Sequence, residues 1–408
     1  MDSIARPPVV PTPAAAQNEF GDSSVARRRS RRLLMVAVAF WVVPMVVISI
    51  MVFARPSKRT VIPLYREAST HWWSREPLYQ GPGGMNYLPQ FAILFTPFNR
   101  MPAPAGDILW RLLSAAVVAT GLARVVRLRF ETDWARWFLG ATIIALPLCL
   151  GSLQTGQANA LLGGVLLHAA GCLACRQWHR AAALIVLTLA IKPLGAVMVL
   201  LAPLVYVPLR WRIALGLVTL IALPLLFGPP AYVVAQYRDL GRNLRDCAAV
   251  SEHRFADLNG ILRTFGTELP PQASTIARAT AGLVTAALWW FGARRLREPL
   301  QAMWLHALAT SYLMLFNPMN ETNSYGILAP ALGFWAVDWL SNPDSVHRGR
   351  VLGTMSLSMG VLPGMLRPWL GNSFALIWHP AMTLIFIVLL ALFVWHQPAT
   401  ERLQPRCS

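Results

Sequence analysis

Lys192 is followed by Pro193 inside an otherwise apolar stretch of about thirty residues, where a cation costs a few kcal/mol unless it is paired or hydrated. Such a residue marks a polar cavity by default; the plainer reading is a lysine that snorkels to the surface at a helix break. A second polar group, Gln154, Gln157 and Asn159, interrupts apolar sequence in Leu153-Gln154-Thr155-Gly156-Gln157-Ala158-Asn159-Ala160. A third is the turn Asn317-Pro318-Met319-Asn320-Glu321-Thr322-Asn323, which as a simple loop needs no function. Cation, amides and carboxylate at the ends of apolar segments are what a shared polar site requires. A carboxylate there has the chemistry of a general base.

Familiar soluble signatures are absent. The sequence has no G-x-x-x-x-G-K-[ST] phosphate loop, H-E-x-x-H zinc pair or G-x-S-x-G elbow. Its eight histidines are dispersed; His253 in Ser251-Glu252-His253-Arg254 stands in the most polar setting, and a lone loop histidine is ordinarily just solvated. Cys172 and Cys175 form a C-x-x-C with no second pair to complete a zinc site, and read as small packing residues. No metal or cofactor is expected.

The elements that hold these residues follow from composition. The chain has 408 residues, 55% of them hydrophobic and only 13% charged, with a mean hydropathy of +0.47. A soluble domain carries about 25% charged residues, so a single water-facing globule is excluded. With 16 Trp and 17 Phe, wholesale disorder is excluded as well. An all-α polytopic membrane protein remains, with roughly twelve crossings at about 20 apolar residues each. The apolar helices are expected at 33–53, 106–124, 136–151, 158–175, 180–192, 194–209, 213–229, 276–293, 300–316, 324–340, 351–366 and 374–395.

The net charge of +18 resembles a nucleic-acid signal only in total. Its arginines fall in short runs between apolar segments, where they set topology, and no nucleic-acid partner is expected. Arg27, Arg28, Arg29, Arg31 and Arg32 precede the first span. Later runs are Arg124, Arg127, Arg129 and Arg136; Arg176 and Arg180; Arg210 and Arg212; Arg294, Arg295 and Arg297; Arg348 and Arg350. All fall on the side of the N-terminus, while 151–157 and 317–323 have no Lys or Arg. Both termini are therefore expected in the cytoplasm, in a plasma (inner) membrane. The domains read as a disordered basic tail (1–32), a transmembrane domain (33–395) and a second tail (396–408).

Two segments on the outer side are long, 54–105 and 230–275. The first holds two amphipathic stretches, 63–76 with Trp72 and Trp73, and 87–101, expected as helices lying on the outer membrane surface. Among the eighteen acidic residues, this topology puts Glu67, Glu76, Asp107, Asp239, Asp246, Glu252, Asp257, Glu268 and Glu321 outside. Asp2, Glu131, Asp133, Glu298, Asp338 and Asp344 fall inside, so the outer face is better furnished for a catalytic carboxylate.

The order of motifs resembles a known family. A basic N-terminus and one span are followed by Tyr65-Arg66-Glu67-Ala68, Glu76-Pro77-Leu78-Tyr79 and Asn86-Tyr87-Leu88-Pro89. Then come Gly156-Gln157-Ala158-Asn159-Ala160-Leu161, Ile191-Lys192-Pro193, Asp257-Leu258-Asn259-Gly260, and Asn317-Pro318 with Glu321 and Tyr325. Over roughly 33–395 this resembles glycosyltransferase family 87, the polyprenyl-phosphate-mannose-dependent mannosyltransferases of the GT-C superfamily. The resemblance implies transfer of a mannose-like hexose from a polyprenyl-phosphate donor to an envelope glycan or lipid acceptor at the outer face.

It also implies roles. An acid of the first outer loop acts as general base, and polar or basic groups hold the departing lipid phosphate. The family's Asp shortly before the first-loop tyrosine is missing, since Thr60-Val61-Ile62-Pro63-Leu64-Tyr65 holds no acid. Glu67 is the nearest replacement, displaced by about one and a half helical turns, and Glu321 is the other acid to weigh. The expected substrate-binding residues are Tyr65, Arg66, Asn86, Tyr87, Gln154, Gln157, Asn159, Lys192, Asn259 and Asn320, with Lys192 and Arg66 on the phosphate. Two other functions compete, a transporter or flippase for a lipid-linked sugar or other amphiphile and a non-catalytic member. A transporter calls for repeated halves and broken helices near the midplane, and the sequence has no convincing repeat. A scaffold leaves Lys192 and the 154–159 cluster without a purpose.

The arginine alternation generates a direct test. A membrane-impermeant thiol reagent should label a cysteine placed at position 155 from outside the cell and one at 210 only after permeabilisation; the opposite pattern contradicts the topology.

Overall fold

The computed structural model describes residues 13–56, 58–79, 85–248 and 255–398, with side chains from Arg27 onward, 247 and 248 excepted. His253, Cys407 and the outermost parts of both expected tails lie outside the described residues. In chain order the helices are α1 (Pro13–Ala54), α2 (Ile62–Ser74), α3 (Pro89–Leu94), α4 (Thr96–Asn99), α5 (Ala103–Arg129) and α6 (Trp134–Thr155). Then follow α7 (Asn159–Ala174), α8 (Trp178–Ile191), α9 (Ala196–Val205), α10 (Arg210–Ala222), α11 (Pro230–Ala248) and α12 (Leu258–Thr264). The last are α13 (Pro271–Gly292), α14 (Leu300–Phe316), a 3-10 turn at Thr322–Ile327, α15 (Ala329–Leu340), α16 (Val346–Leu370) and α17 (Ser373–Trp395). No strand occurs among the described residues.

Helix covers every apolar segment expected from sequence, but length and composition are more restrictive. Five helical stretches are long and apolar enough to cross a membrane: Arg27–Ala54, Ala103–Arg129, Trp134–Thr155, Val207–Leu226 and Ser373–Trp395. Asn159–Ala174, Trp178–Ile191, Pro193–Val205 and Leu300–Phe316 are apolar but shorter. Helix α15 has only 12 residues, and α16 carries Arg348, Arg350 and Arg367.

Three other differences have local causes. Helix α1 begins at Pro13, inside the expected tail, because an N-terminal proline and helix-favouring Ala and Arg residues let it run back from the apolar stretch. The expected helix over 87–101 divides into α3 and α4 at Phe95, where Pro97 removes a donor and clashes with the preceding turn. The segment 230–275, expected as an outer loop, contains α11, α12 and the start of α13. The buried stripe of α11 is Val233, Gln236, Leu240 and Asn243, and its two polar members weaken the periodicity that announces a helix.

The peripheral helices show what surrounds the protein. On α1, Ala37, Trp41, Met45, Ile48 and Val52 form the buried stripe, spaced three and four apart as one helical face. Its other faces expose Val38, Phe40, Val43, Val47, Ile50 and Phe53. A helix that is apolar all round yet buries one stripe is solvated by hydrocarbon.

The interior is organised around α7, all of whose residues except His168 are buried. It packs on α5, α8 and α14. Close approach of α5 and α7 depends on small residues, as helix packing within lipid does. A Cβ on Gly164 would come within 2.7 Å of the Val118 amide nitrogen, which is backbone and cannot move aside. At the other end of α5, the Arg129 guanidinium meets the buried Asp338 carboxylate of α15 at 2.6 Å.

Overpacking a close-packed interior costs about 1–3 kcal/mol. Gly164→Val should therefore lower the thermal unfolding midpoint in detergent by several degrees, whereas an unchanged midpoint would contradict the α5–α7 approach.

Candidate active site

Three chain reversals converge on one polar cluster. The first ends α6. Gly156 takes the left-handed conformation (φ +69), and the Gln157 amide returns to the Ser152 carbonyl at 3.1 Å, a Schellman-type closure in which glycine avoids the Cβ penalty. Bulk also forbids a side chain there, since a Cβ would lie 2.6 Å from Ile62 Cδ1. From α5, Trp110 Nε1 donates to the Gly156 carbonyl at 2.9 Å, and Arg111 donates twice to the Gln154 carbonyl. Ser152 Oγ accepts from the Ala160 amide, which satisfies a free donor at the start of α7.

The second reversal is at Lys192. Its backbone is extended (φ −160, ψ 140) after the last turn of α8, the conformation a following proline imposes. The third is the loop after α14. Asn320 is fully buried; its Nδ2 donates to the Met314 carbonyl at 2.8 Å, and Tyr325 donates to the Ala256 carbonyl at 2.8 Å. These bonds hold Glu321 at the entrance of the Thr322–Ile327 turn.

The side chains then join end to end. Lys192 Nζ donates to Asn159 Oδ1 at 2.8 Å. Asn159 Nδ2 donates to Gln157 Oε1 at 2.7 Å and to Ser324 Oγ at 3.3 Å. Gln157 Nε2 donates to Glu321 Oε2 at 2.7 Å. Two side-chain amides thus link an ammonium to a carboxylate, and Asn159, only 1% exposed, holds the centre.

An aromatic wall closes one side. The Tyr65 ring lies edge-on to Tyr87, Phe91, Phe95 and Trp110. Its hydroxyl is 2.8 Å from that of Tyr87 and accepts from the Ala158 amide. Burial pushes the Tyr65 hydroxyl up to about 12 and raises Tyr87 as well, so both stay neutral hydrogen-bonding groups at physiological pH. Lys192 Nζ lies 5.8 Å from the Tyr87 ring centroid, within cation–π range.

Of the residues expected at a site, the cluster unites Tyr65, Tyr87, Gln157, Asn159, Lys192 and Glu321. The others have different surroundings. Arg66 donates twice to Asp107 Oδ1 at 2.7 and 2.9 Å, and to the carbonyls of Asn99, Met101 and Ala103. It ties α2 to the start of α5 instead of facing the cluster. Glu67 lies on the outward face of α2 with its side chain 56% exposed and His71 at 3.9 Å.

Gln154 meets Arg111 through its backbone carbonyl, and Asn86 Oδ1 accepts from Asn243 of α11. Asn259 Oδ1 accepts from the Leu269 amide. Asn320 fastens its loop as described. Asp257 caps α12 at the Gly260 amide and pairs with Arg263 at 3.3 Å. Burial pushes its carboxyl up to about 6, against the opposing effects of Gly260 and Arg263.

Two contributors escaped the sequence reading, Ser324 and Arg111. Arg111, 2% exposed, was detectable as a charge within an apolar helix, one turn from Asp107. Ser324 gave no signal among its polar neighbours. Among the described residues, no group of three or more His, Cys, Asp or Glu is placed to hold a metal.

Apolar helices with a walled cluster of opposite charges at their ends define an integral membrane protein with a polar site. The family model of glycosyltransferase family 87 matches residues 86–318, more than half of the 408 residues, and the chain belongs to that family. The family makes it a glycosyltransferase. The match spans Tyr87, Gln157, Asn159 and Lys192 and ends at 318, just before Glu321. No curated protein and no solved structure matches the chain.

The network makes a thermodynamic prediction. Asn159→Leu removes the acceptor of a charged donor and should cost about 1.5–3 kcal/mol. Adding Lys192→Met removes the stranded cation and should recover most of that loss. Simple addition of the two single effects in detergent unfolding would contradict the coupling.

Proposed function

We propose that this protein is an inverting GT-C-type membrane glycosyltransferase with about twelve crossings, at about 20 residues each, and both termini in the cytoplasm. It moves a mannose-like hexose from a polyprenyl-phosphate sugar to a glycan or lipid acceptor at the outer face of the plasma membrane. What supports the reading is the hydrogen-bonded chain from Lys192 to Glu321 in a member of glycosyltransferase family 87.

In the proposed reaction the lipid phosphate lies against Lys192, with the Tyr87 ring behind the ammonium. The acceptor hydroxyl approaches C1 of the sugar from the opposite side, next to Glu321. Its oxygen forms the new bond to C1 as the bond from C1 to the phosphate oxygen breaks. The hydroxyl proton passes to Glu321 Oε1, while Oε2 stays fixed by Gln157. Negative charge grows on the leaving phosphate, where a positioned cation stabilises the transition state more than the ground state. Gln157 and Asn159 keep base and cation apart.

Glu321 displaces Glu67 as the preferred base because it belongs to the cluster, whereas Glu67 points outward from α2 with its side chain 56% exposed. Arg66, engaged by Asp107, is no longer needed on the phosphate.

General-base catalysis contributes about 10²–10⁴-fold. Purified protein in lipid, supplied with radiolabelled polyprenyl-phosphate mannose and envelope extract, should lose turnover by that factor in Glu321→Gln. Donor binding should persist there, Glu67→Gln should transfer near-normally, and Lys192→Ala should weaken donor binding. A dead Glu67→Gln beside an active Glu321→Gln would return the base to the first outer segment.

A further inference from the structure

At the far end of α8 from Lys192, a groove runs along the junction of α8 and α10. It is an open groove of about 370 Å³, and Ala183, Leu187 and Leu215 contribute to its apolar wall. His179, Trp211 and Arg212 stand at its mouth. The Arg212 guanidinium stacks on the Trp211 ring at 4.4 Å, turns Nε and Nη2 to His179 Nε2 at 3.4 and 3.3 Å, and donates from Nη1 to the Pro208 carbonyl. Trp211 is itself 55% exposed, as an indole at a membrane–water boundary is. Exposed Arg180 and Arg210 flank these residues. Among the described residues, no Asp or Glu lines the groove.

We propose that this groove binds an anionic phospholipid of the leaflet at the Arg212 end, with the phosphodiester on Arg212, which His179 positions, and one acyl chain along α8 and α10. Charge complementarity selects the headgroup, because a basic mouth without a carboxylate favours an anion. Length selects the tail. The wall from Trp211 of α10 to Leu223, just past its end, spans about 18 Å at 1.5 Å per residue, close to the ~15 Å depth of one hydrocarbon leaflet. Arginine binds phosphate through charge-assisted N–H donors, and the Trp211 stack and His179 hold the guanidinium at the mouth of the groove. The site lies at the opposite helix ends from the Lys192 cluster and does not depend on the proposed transfer reaction.

Native mass spectrometry of the intact protein, titrated with phosphatidylglycerol and with phosphatidylcholine of the same acyl chains, tests the proposal. The wild type should retain phosphatidylglycerol preferentially. Arg212→Gln should reduce that preference about fivefold, the effect of one arginine near a charged membrane surface, and His179→Gln should reduce it less. Ala183→Trp, which fills the groove, should lower retention of both lipids. Unfolding midpoints in detergent identify any variant that has lost its fold, and the remaining variants then decide. Equal retention of the two lipids by the wild type would overturn the proposal. So would an unaltered preference in Arg212→Gln, or displacement of the bound lipid by a polyprenyl phosphate.

Discussion

A lysine ammonium at the end of an apolar helix is the constraint on which the arrangement of this protein depends. Lys192 can be held among helices that expose hydrocarbon-facing surface only if its charge has partners. The partners are supplied from three other parts of the chain: Asn159 at the start of α7, Gln157 in the turn before it, and Glu321 after α14. Each amide uses its carbonyl toward the cation and its N–H₂ toward the acid, so the chain has a direction. A half-satisfied version of this network would be worse than an apolar filling. The surrounding turns are correspondingly closed, by Gly156 at α6, Pro193 at α8 and Asn320 at the 317–325 loop.

The same requirement explains why so many polar residues here have positioning tasks. Arg111 fixes the 154–157 turn from α5, and Arg66 with Asp107 fixes α2 against α5. Asn243 and Gln236 of α11 hold the segment that carries Tyr87, through Asn86 and the Leu78 amide. Behind the cluster lie the buried rings of Tyr65, Phe91, Phe95 and Trp110, and electrostatic contacts strengthen against such an apolar wall.

Much of this was readable in the sequence because polar residues are conspicuous against an apolar background. Lys192, Gln157, Asn159 and Glu321 stood out for that reason, and the structure unites them through side-chain bonds that no linear spacing reveals. What the sequence could not separate was a polar residue that faces a site from one that fastens a loop. Asn320 and Asn259 looked equivalent to Asn159, yet their amides meet backbone groups. Arg66 and Glu67 are adjacent in sequence but project about 100° apart on α2, one toward Asp107 and the other outward. Helix α11 was missed because Gln236 and Asn243 occupy positions where an apolar stripe is expected. The count of crossings rested on apolar segments, of which five form helical stretches of spanning length and composition and others form shorter helices such as the 12-residue α15.

The central claim is that the phosphate of a lipid-linked sugar binds at Lys192 while its sugar reaches toward Glu321. Cryo-electron microscopy of the protein in nanodiscs with a non-hydrolysable polyprenyl-phosphonate sugar measures this directly. The account predicts phosphonate density within hydrogen-bonding distance of Lys192 Nζ, with the sugar between it and the Glu321 carboxylate. Phosphonate density beside Arg66 or elsewhere, with the Lys192–Asn159–Gln157–Glu321 chain intact and unoccupied, would contradict it.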